Sequence, residues 1–252
     1  MVKYNNVVLY CTDWGDKDEL FASMRSLTQT NPEIGVLVVS TVTKPIGLEL
    51  PIPCDLLVPD NVPAQIISNP KLLRIFAFDM LNGIAGKVLY IDTDTIIMQD
   101  LSNLFECSDA ISATYHGDTF CDAVMVVDIP KMYSIINGGS LWNMYMESCK
   151  KEYYHCDDEL FLNEIFTATK IPDKYNTRAK EHKRLIPSTI AILHYAHTKP
   201  WSDYAAEQYS YRSMDTILGF FDKDSEKYKK SLANLNKLKI LFDLFESINQ
   251  SK

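Results

Sequence analysis

The chain has 252 residues, 46% hydrophobic and 23% charged, with 25 Lys+Arg against 33 Asp+Glu and a formal net charge of −8. That composition builds a globular core of one-domain size and excludes disorder, collagen and a coiled-coil rod. The acidic balance excludes generic binding to nucleic-acid phosphates, so a bound polyanion calls for a local cation or a metal.

Along the first half, short apolar runs alternate with helical spacing, the pattern of β-α-β units and a largely parallel sheet. Residues 7–11 read as a first strand. Leu20, Phe21, Met24 and Leu27 place a helix at 18–29, and 35–40 is a second strand after the Asn31-Pro32 break. A third strand is predicted at 55–58, a helix at 71–81 and a strongly apolar strand at 87–91. Further strands are predicted at 111–115, 123–127 and 190–194, with helices at 131–136, 141–148 and 158–166. From 231 to 248 Leu232, Leu235, Leu238, Leu241, Leu244, Phe245 and Ile248 form one helical face.

The six cysteines contain no C-x-x-C pair and are read as reduced. The amino-terminal apolar stretch is too short for a signal-peptide core or a membrane span, which leads us to expect a cytoplasmic protein without a transmembrane segment.

Three blocks carry candidate chemistry. Asp92-Thr93-Asp94 follows directly on the strand at 87–91, and residues i and i+2 of an extended chain project to one side. Two carboxylates at the carboxyl end of a parallel strand suit a cation such as Mn²⁺ or Mg²⁺. Asp16-Lys17-Asp18 and Asp222-Lys223-Asp224 share the spacing but lack the strand, and read as solvated helix-end or loop carboxylates. The second block, His194-Tyr195 followed by Lys199-Pro200-Trp201, offers a metal-ligating imidazole and a cation for a diphosphate. The third, Asp157-Asp158-Glu159 with Leu162-Asn163, opens a helix, and capping alone would account for it.

Together the three blocks, in this order, resemble glycosyltransferase family 8, the group containing glycogenin and bacterial lipopolysaccharide galactosyltransferases. The most specific match is Lys87-Val88-Leu89-Tyr90-Ile91-Asp92-Thr93-Asp94-Thr95 with the segment 100–106 after it. The resemblance implies an α/β, Rossmann-like GT-A fold, with residues 1–201 as the transferase domain; 202–252 is read from its leucine face as a helical extension packed on that domain, with docking to a membrane or partner as the alternative. The resemblance also implies a UDP-sugar donor, UDP-glucose or UDP-galactose, with Mn²⁺ (Mg²⁺ as the alternative), and transfer to a sugar or protein acceptor with retention of configuration. A homodimer is a candidate assembly. By the same carry-over Asp92, Asp94 and His194 are metal ligands, and Lys199 and Arg74 face the diphosphate, with Lys71 the rival to Arg74. Tyr10, Thr12, Asp13 and Thr93 adjoin the nucleotide, Asp122 meets the donor sugar, and Asp158 with Glu159 flank the reacting carbon.

The departures bear on the donor. Cys121-Asp122-Ala123 replaces the family's common Asn, small residue and Gly, Glu159 stands for Gln, and His197 for Gly. Asp122 reads either as a sugar selector or as part of a capped turn. Two other classes compete: nucleotidylyltransferases, which carry a basic Gly-rich loop that the segment 11–16 lacks, and a catalytically dead carbohydrate-binding scaffold. Asp92, Asp94, His194 and Lys199 together argue against the scaffold. No tyrosine lies between Thr177 and Leu193, so self-glycosylation there is chemically closed and an external acceptor is expected.

Overall fold

Aliphatic runs buried on both faces make the strands of a central sheet. In chain order the strands are β1 (Val7–Thr12), β2 (Gly35–Ser40), β3 (Asp55–Leu57), β4 (Lys87–Ile91), β5 (Thr95–Ile97), β6 (Ile111–His116), β7 (Thr119–Asp128), β8 (Thr169–Lys170), β9 (Thr177–Arg178) and β10 (Ile192–His194). The structure, a computed structural model, describes residues 3–150, 157–179, 189–196, 199–202, 205, 209 and 211–250, with 211–213 and 241–250 described as backbone. His197, Cys156 and Tyr204 lie outside the described residues.

Seven strands form one sheet in the order β3-β2-β1-β4-β7-β6-β8. β1 pairs in parallel with both β2 and β4, while β7 runs antiparallel to β4 and β6. Alternation divides each strand between two cores. Leu9, Val88 and Tyr90 face a core with α3 (Leu73–Leu81), α5 (Leu141–Ser148) and α6 (Asp158–Ile165), whereas Tyr10, Leu89 and Ile91 face α1 (Lys17–Thr30). The remaining helices of the central region are α2 (Ala64–Ser68) and α4 (Ile129–Ile135).

A second sheet, β5-β10-β9, follows directly on the first, with residues 92–94 the shortest connection between them. His194 of β10 lies opposite Thr95 of β5, so the antiparallel register sets the histidine beside Asp94. A third core joins Leu193 and Tyr195 to Met214 and Ile217 of α7 (Tyr211–Leu218) and to Leu235 and Leu238 of α8 (Glu226–Gln250).

The predicted strand at 35–40 and helix at 141–148 match the observed bounds, and the sheet expectation holds with one antiparallel member. Two readings need correction. Asp122 lies inside β7, not in a turn ahead of it, because β7 begins at Thr119. The second concerns detail only: within the extension read as helical, residues 211–218 of the polar, aromatic stretch form a helix of their own, α7, for which no bounds were predicted. Side chains from Leu241 onward in the predicted leucine face lie outside the described residues.

Candidate active site

The carboxyl ends of β1 and β4, adjacent and parallel, open onto a cleft of about 640 Å³. Ligands of open α/β sheets collect at this edge. The loop after β1 turns at Trp14, a non-glycine residue at φ 70°, whose N–H donates to Thr12 Oγ1 (2.8 Å) and whose indole Nε1–H donates to Val42 O (3.2 Å). The turn brings Asp16 back over the strand ends. Thr12 Oγ1 donates to Asp16 Oδ1 (2.6 Å) and Thr93 Oγ1 to Asp16 Oδ2 (2.5 Å). Burial raises the Asp16 carboxyl, with the two threonine hydroxyls opposing. Asp16 is therefore a cleft residue that ties the β1 loop to the Asp92–Asp94 segment, and its reading as a solvated loop carboxylate is overturned.

Asp92, Asp94 and His194 present one ligand atom each within 4.8 Å of one another. His194 Nε2 lies 3.2 Å from Asp94 Oδ1, while Nδ1 sits 2.9 Å from Asn176 Oδ1. An amide oxygen only accepts, so Nδ1–H donates to Asn176, and Nε2 faces the carboxylates as a donor to Asp94 when the ring is protonated and as a lone pair for a cation when it is neutral. Asn176 is held in turn by its Nδ2–H to Thr114 Oγ1, 3.1 Å. Tyr90 Oη donates to Asp92 Oδ1 (2.6 Å), from the same face of the strand two residues earlier. Burial raises the Asp92 carboxyl, Arg74 opposing. At Asp94 burial also acts upward, but the hydrogen bonds and charges of His194 and Lys199 outweigh it and hold the carboxyl below its usual range.

Lys71, Arg74, Arg178 and Lys199 line the cleft, and Arg74 and Lys199 pair with its acids. Arg74, on α3 and buried, has Nη1 2.9 Å from Asp122 Oδ2 and 3.6 Å from Asp92 Oδ1, and Nε 2.8 Å from Asp158 Oδ2. Its Nη1 also donates to Asp122 O (3.1 Å), and its guanidinium lies 5.1 Å from the Tyr90 ring centroid. Lys199 Nζ lies 2.5 Å from Asp94 Oδ2 and 3.2 Å from Glu19 Oε2.

Asp157 caps α6, its Oδ1 accepting from Leu160 N–H (3.0 Å), which frees Asp158 for Arg74. Glu159 Oε2 faces the Asp122 N–H at 3.4 Å. Between Ala113 and Tyr115 the β6–β7 ladder breaks register, and Cys121, Asp122 and Ala123 from that irregular stretch line the cleft. Thr12, Asp13, Arg74, Thr93, Asp122, Asp158, Glu159 and Lys199 all line the same cleft as Asp92, Asp94 and His194. Asp13 is exposed and accepts from Gly15 N–H (2.8 Å). Tyr10 is a correction: it alternates away from Cys11 into the α1 core, fully buried, with its hydroxyl 2.9 Å from Ser23 Oγ.

Sequence reasoning passed over Asn176, Glu19 and Tyr90 as working parts. Tyr90 had a signal, its i−2 spacing from Asp92 on a strand. Asn176 and Glu19 had none, because their partners come from elements far away in the chain.

The α/β architecture thus sets an acidic, histidine-completed cluster at the strand ends, in the arrangement of a GT-A fold. No protein-family profile matches the chain. It is 27% identical over 201 residues to the glycosyltransferase GlyF of Streptococcus pneumoniae, a match covering 65% of this chain and 49% of GlyF. The chain spans half or less of the curated relatives it matches. In structure it is similar to GlyE of Streptococcus pneumoniae (TM-score 0.65, 19% identity, 94% of this chain and 63% of GlyE). It is also similar to the galactosyltransferase LgtC in complex with donor and acceptor sugar analogues (TM-score 0.63, 15% identity, 89% of this chain and 99% of LgtC). These comparisons show the GT-A fold and a likeness to named glycosyltransferases. No helix among the described residues is long and apolar enough to cross a membrane.

Proposed function

We propose that the chain is a retaining, metal-dependent glycosyltransferase that moves a hexose, glucose or galactose, from a UDP-sugar to an acceptor hydroxyl. The observation that carries this reading is the convergence of Asp92, Asp94 and His194 from two sheets within 4.8 Å, with Lys199 at the rim. Two carboxylates and an imidazole whose Nε2 lone pair turns inward in the neutral ring fit a divalent ion of Mn²⁺ type, and these three residues would hold it. Bound there, such an ion supplies Lewis acidity to the diphosphate oxygens.

The chain's own residues do the rest. Breaking the bond between the anomeric carbon and the diphosphate leaves its electron pair on the phosphate oxygen, and Lys199 adds preorganised positive charge on that side. Asp158 and Glu159 place carboxylates across the cleft, where they stabilise the positive charge that develops on the sugar carbon. Arg74 keeps Asp122 and Asp158 in place, so its effect on the donor runs through these carboxylates. Thr12, Asp13 and Thr93 adjoin the nucleoside in this reading, and Asp122 selects the sugar.

Residues 1–201 are the transferase domain in the same reading and 202–252 a helical extension packed on it, supported by the core that Leu235 and Leu238 share with Leu193. Among the described residues the free thiols Cys11, Cys54, Cys107, Cys121 and Cys149 accord with a cytoplasmic location. A screen of nucleotide-sugars for Mn²⁺-dependent release of nucleoside diphosphate tests the function. UDP release with a hexose donor is the expected result, and release that is indifferent to metal or confined to other nucleotides would refute it.

A further inference from the structure

The loop that presents Lys199 is gripped by the C-terminal helix. Asn234 of α8, buried, donates from Nδ2 to Pro200 O and to Ser202 O, both at 2.9 Å. An amide nitrogen has two protons, and both go to this one loop. Seven residues earlier, on the same helix face, Lys227 Nζ lies 2.8 Å from Glu19 Oε1 and 4.8 Å from the Trp201 ring centroid. The other oxygen of Glu19 holds Lys199 at 3.2 Å, so Lys227, Glu19, Lys199 and Asp94 form one chain of ion pairs from helix to site. Trp201 packs on Phe221 (5.7 Å between centroids) and on Tyr195 (6.3 Å), next to His194.

Asparagine is a poor residue for a helix interior, and a buried amide there costs stability unless its protons are satisfied. Here they are satisfied only by the Lys199 loop. We propose that α8 is a positioning element of the site, with Asn234 and Lys227 holding the loop so that Lys199 meets the donor diphosphate. The inference rests on the diphosphate role proposed above for Lys199. A helix that merely completed the fold would need Leu235 and Leu238 but not a doubly donating amide aimed at the neighbours of this lysine.

Calorimetric titration of the full chain with UDP, and separately with uridine, in the presence of Mn²⁺ tests it. Lys199→Ala should weaken UDP by about 10- to 100-fold, the worth of a charge-assisted contact, and leave uridine alone. Asn234→Leu, similar in volume but without donors, should lose about tenfold of UDP affinity with uridine again unchanged. Combined with Lys199→Ala, it should add nothing further, because both changes act through the same group. Lys227→Met should show the same non-additivity with a smaller, few-fold loss, and this variant decides the matter if Asn234→Leu does not fold. Equal losses for UDP and uridine, or losses that add to that of Lys199→Ala, would overturn the positioning role. So would a UDP affinity unchanged in the helix variants while Lys199→Ala is weakened, and that pattern would spare the role of Lys199. Wild-type UDP affinity in Lys199→Ala itself would instead remove the diphosphate reading, and the helix inference with it.

Discussion

Arg74 and Lys199 are both cations among carboxylates in one cleft, and they are built differently. Arg74 has 8% of its side chain exposed, a rigid fork divided among Asp92, Asp122 and Asp158, and the ring of Tyr90 beside it. Lys199 has 28% exposed and a single flexible head group shared between Asp94 and Glu19. Burial works against the charge of both, and their carboxylate neighbours more than restore it, raising each above its ordinary pKa. The difference is one of freedom. A planar guanidinium fixed on several sides acts as scaffold for the acids around it, whereas an ammonium on a four-carbon stem at the rim can leave one anion for another.

Substitutions can break that contrast. The largest effect is expected at Arg74: Arg74→Met strips the counter-charge from clustered buried carboxylates and should cost about 3 to 5 kcal/mol of stability in urea denaturation. A variant that instead keeps its stability and loses only UDP affinity would put Arg74 in the same class as Lys199. Next, Asp94→Asn removes a proposed ligand and should lower Mn²⁺ affinity by at least the ~10- to 100-fold that outer-shell changes cost. Electron paramagnetic resonance of free Mn²⁺ reads this directly, and unaltered binding would move the ion elsewhere. Lys199→Ala should leave the melting temperature within a few degrees of wild type, since the lysine is partly exposed. A collapse like that of Arg74→Met would erase the distinction. The smallest effect is a change of preference. Asp122→Ser leaves Arg74 with two of its three carboxylate partners and should alter the ratio of activities on UDP-glucose and UDP-galactose, and a uniform fall on both donors would count against a selector role.

The half of the site made by β4 was legible because a single segment carries it: four apolar residues, then two carboxylates at strand spacing. His194 and Lys199 were legible only through a motif, since nothing in the local pattern reports that β10 pairs with β5. The Arg74 assembly could not be read at all as it stands. Its three acids come from β7, from the start of α6 and from the end of β4, and only the packing of α3 brings them to one guanidinium. Asp16 was misjudged for a related reason. The start of α1 is an ordinary place for a solvated acid, and the positive φ at Trp14 that folds it inward leaves no trace in composition. Short elements were lost too: β5 has three residues, too few for a period, and β9 has two. Tyr10 shows the opposite error, a residue assigned to the cleft by position along the chain although strand alternation sends it to the other face.

The passage from β4 to β5 has a mechanical consequence. Residues 92–94 carry the chain from the seven-stranded sheet directly into the three-stranded one, and His194 faces them from β10. An ion held by Asp92, Asp94 and His194 is therefore a cross-link between two sheets, tying residues about a hundred positions apart. Ligand present at 100 times its dissociation constant adds about 2.7 kcal/mol to a fold that it binds only when intact. Metal supply would then set how firmly the second sheet and the helices behind it stay seated, and the melting temperature should climb with the logarithm of added Mn²⁺ before any sugar is present.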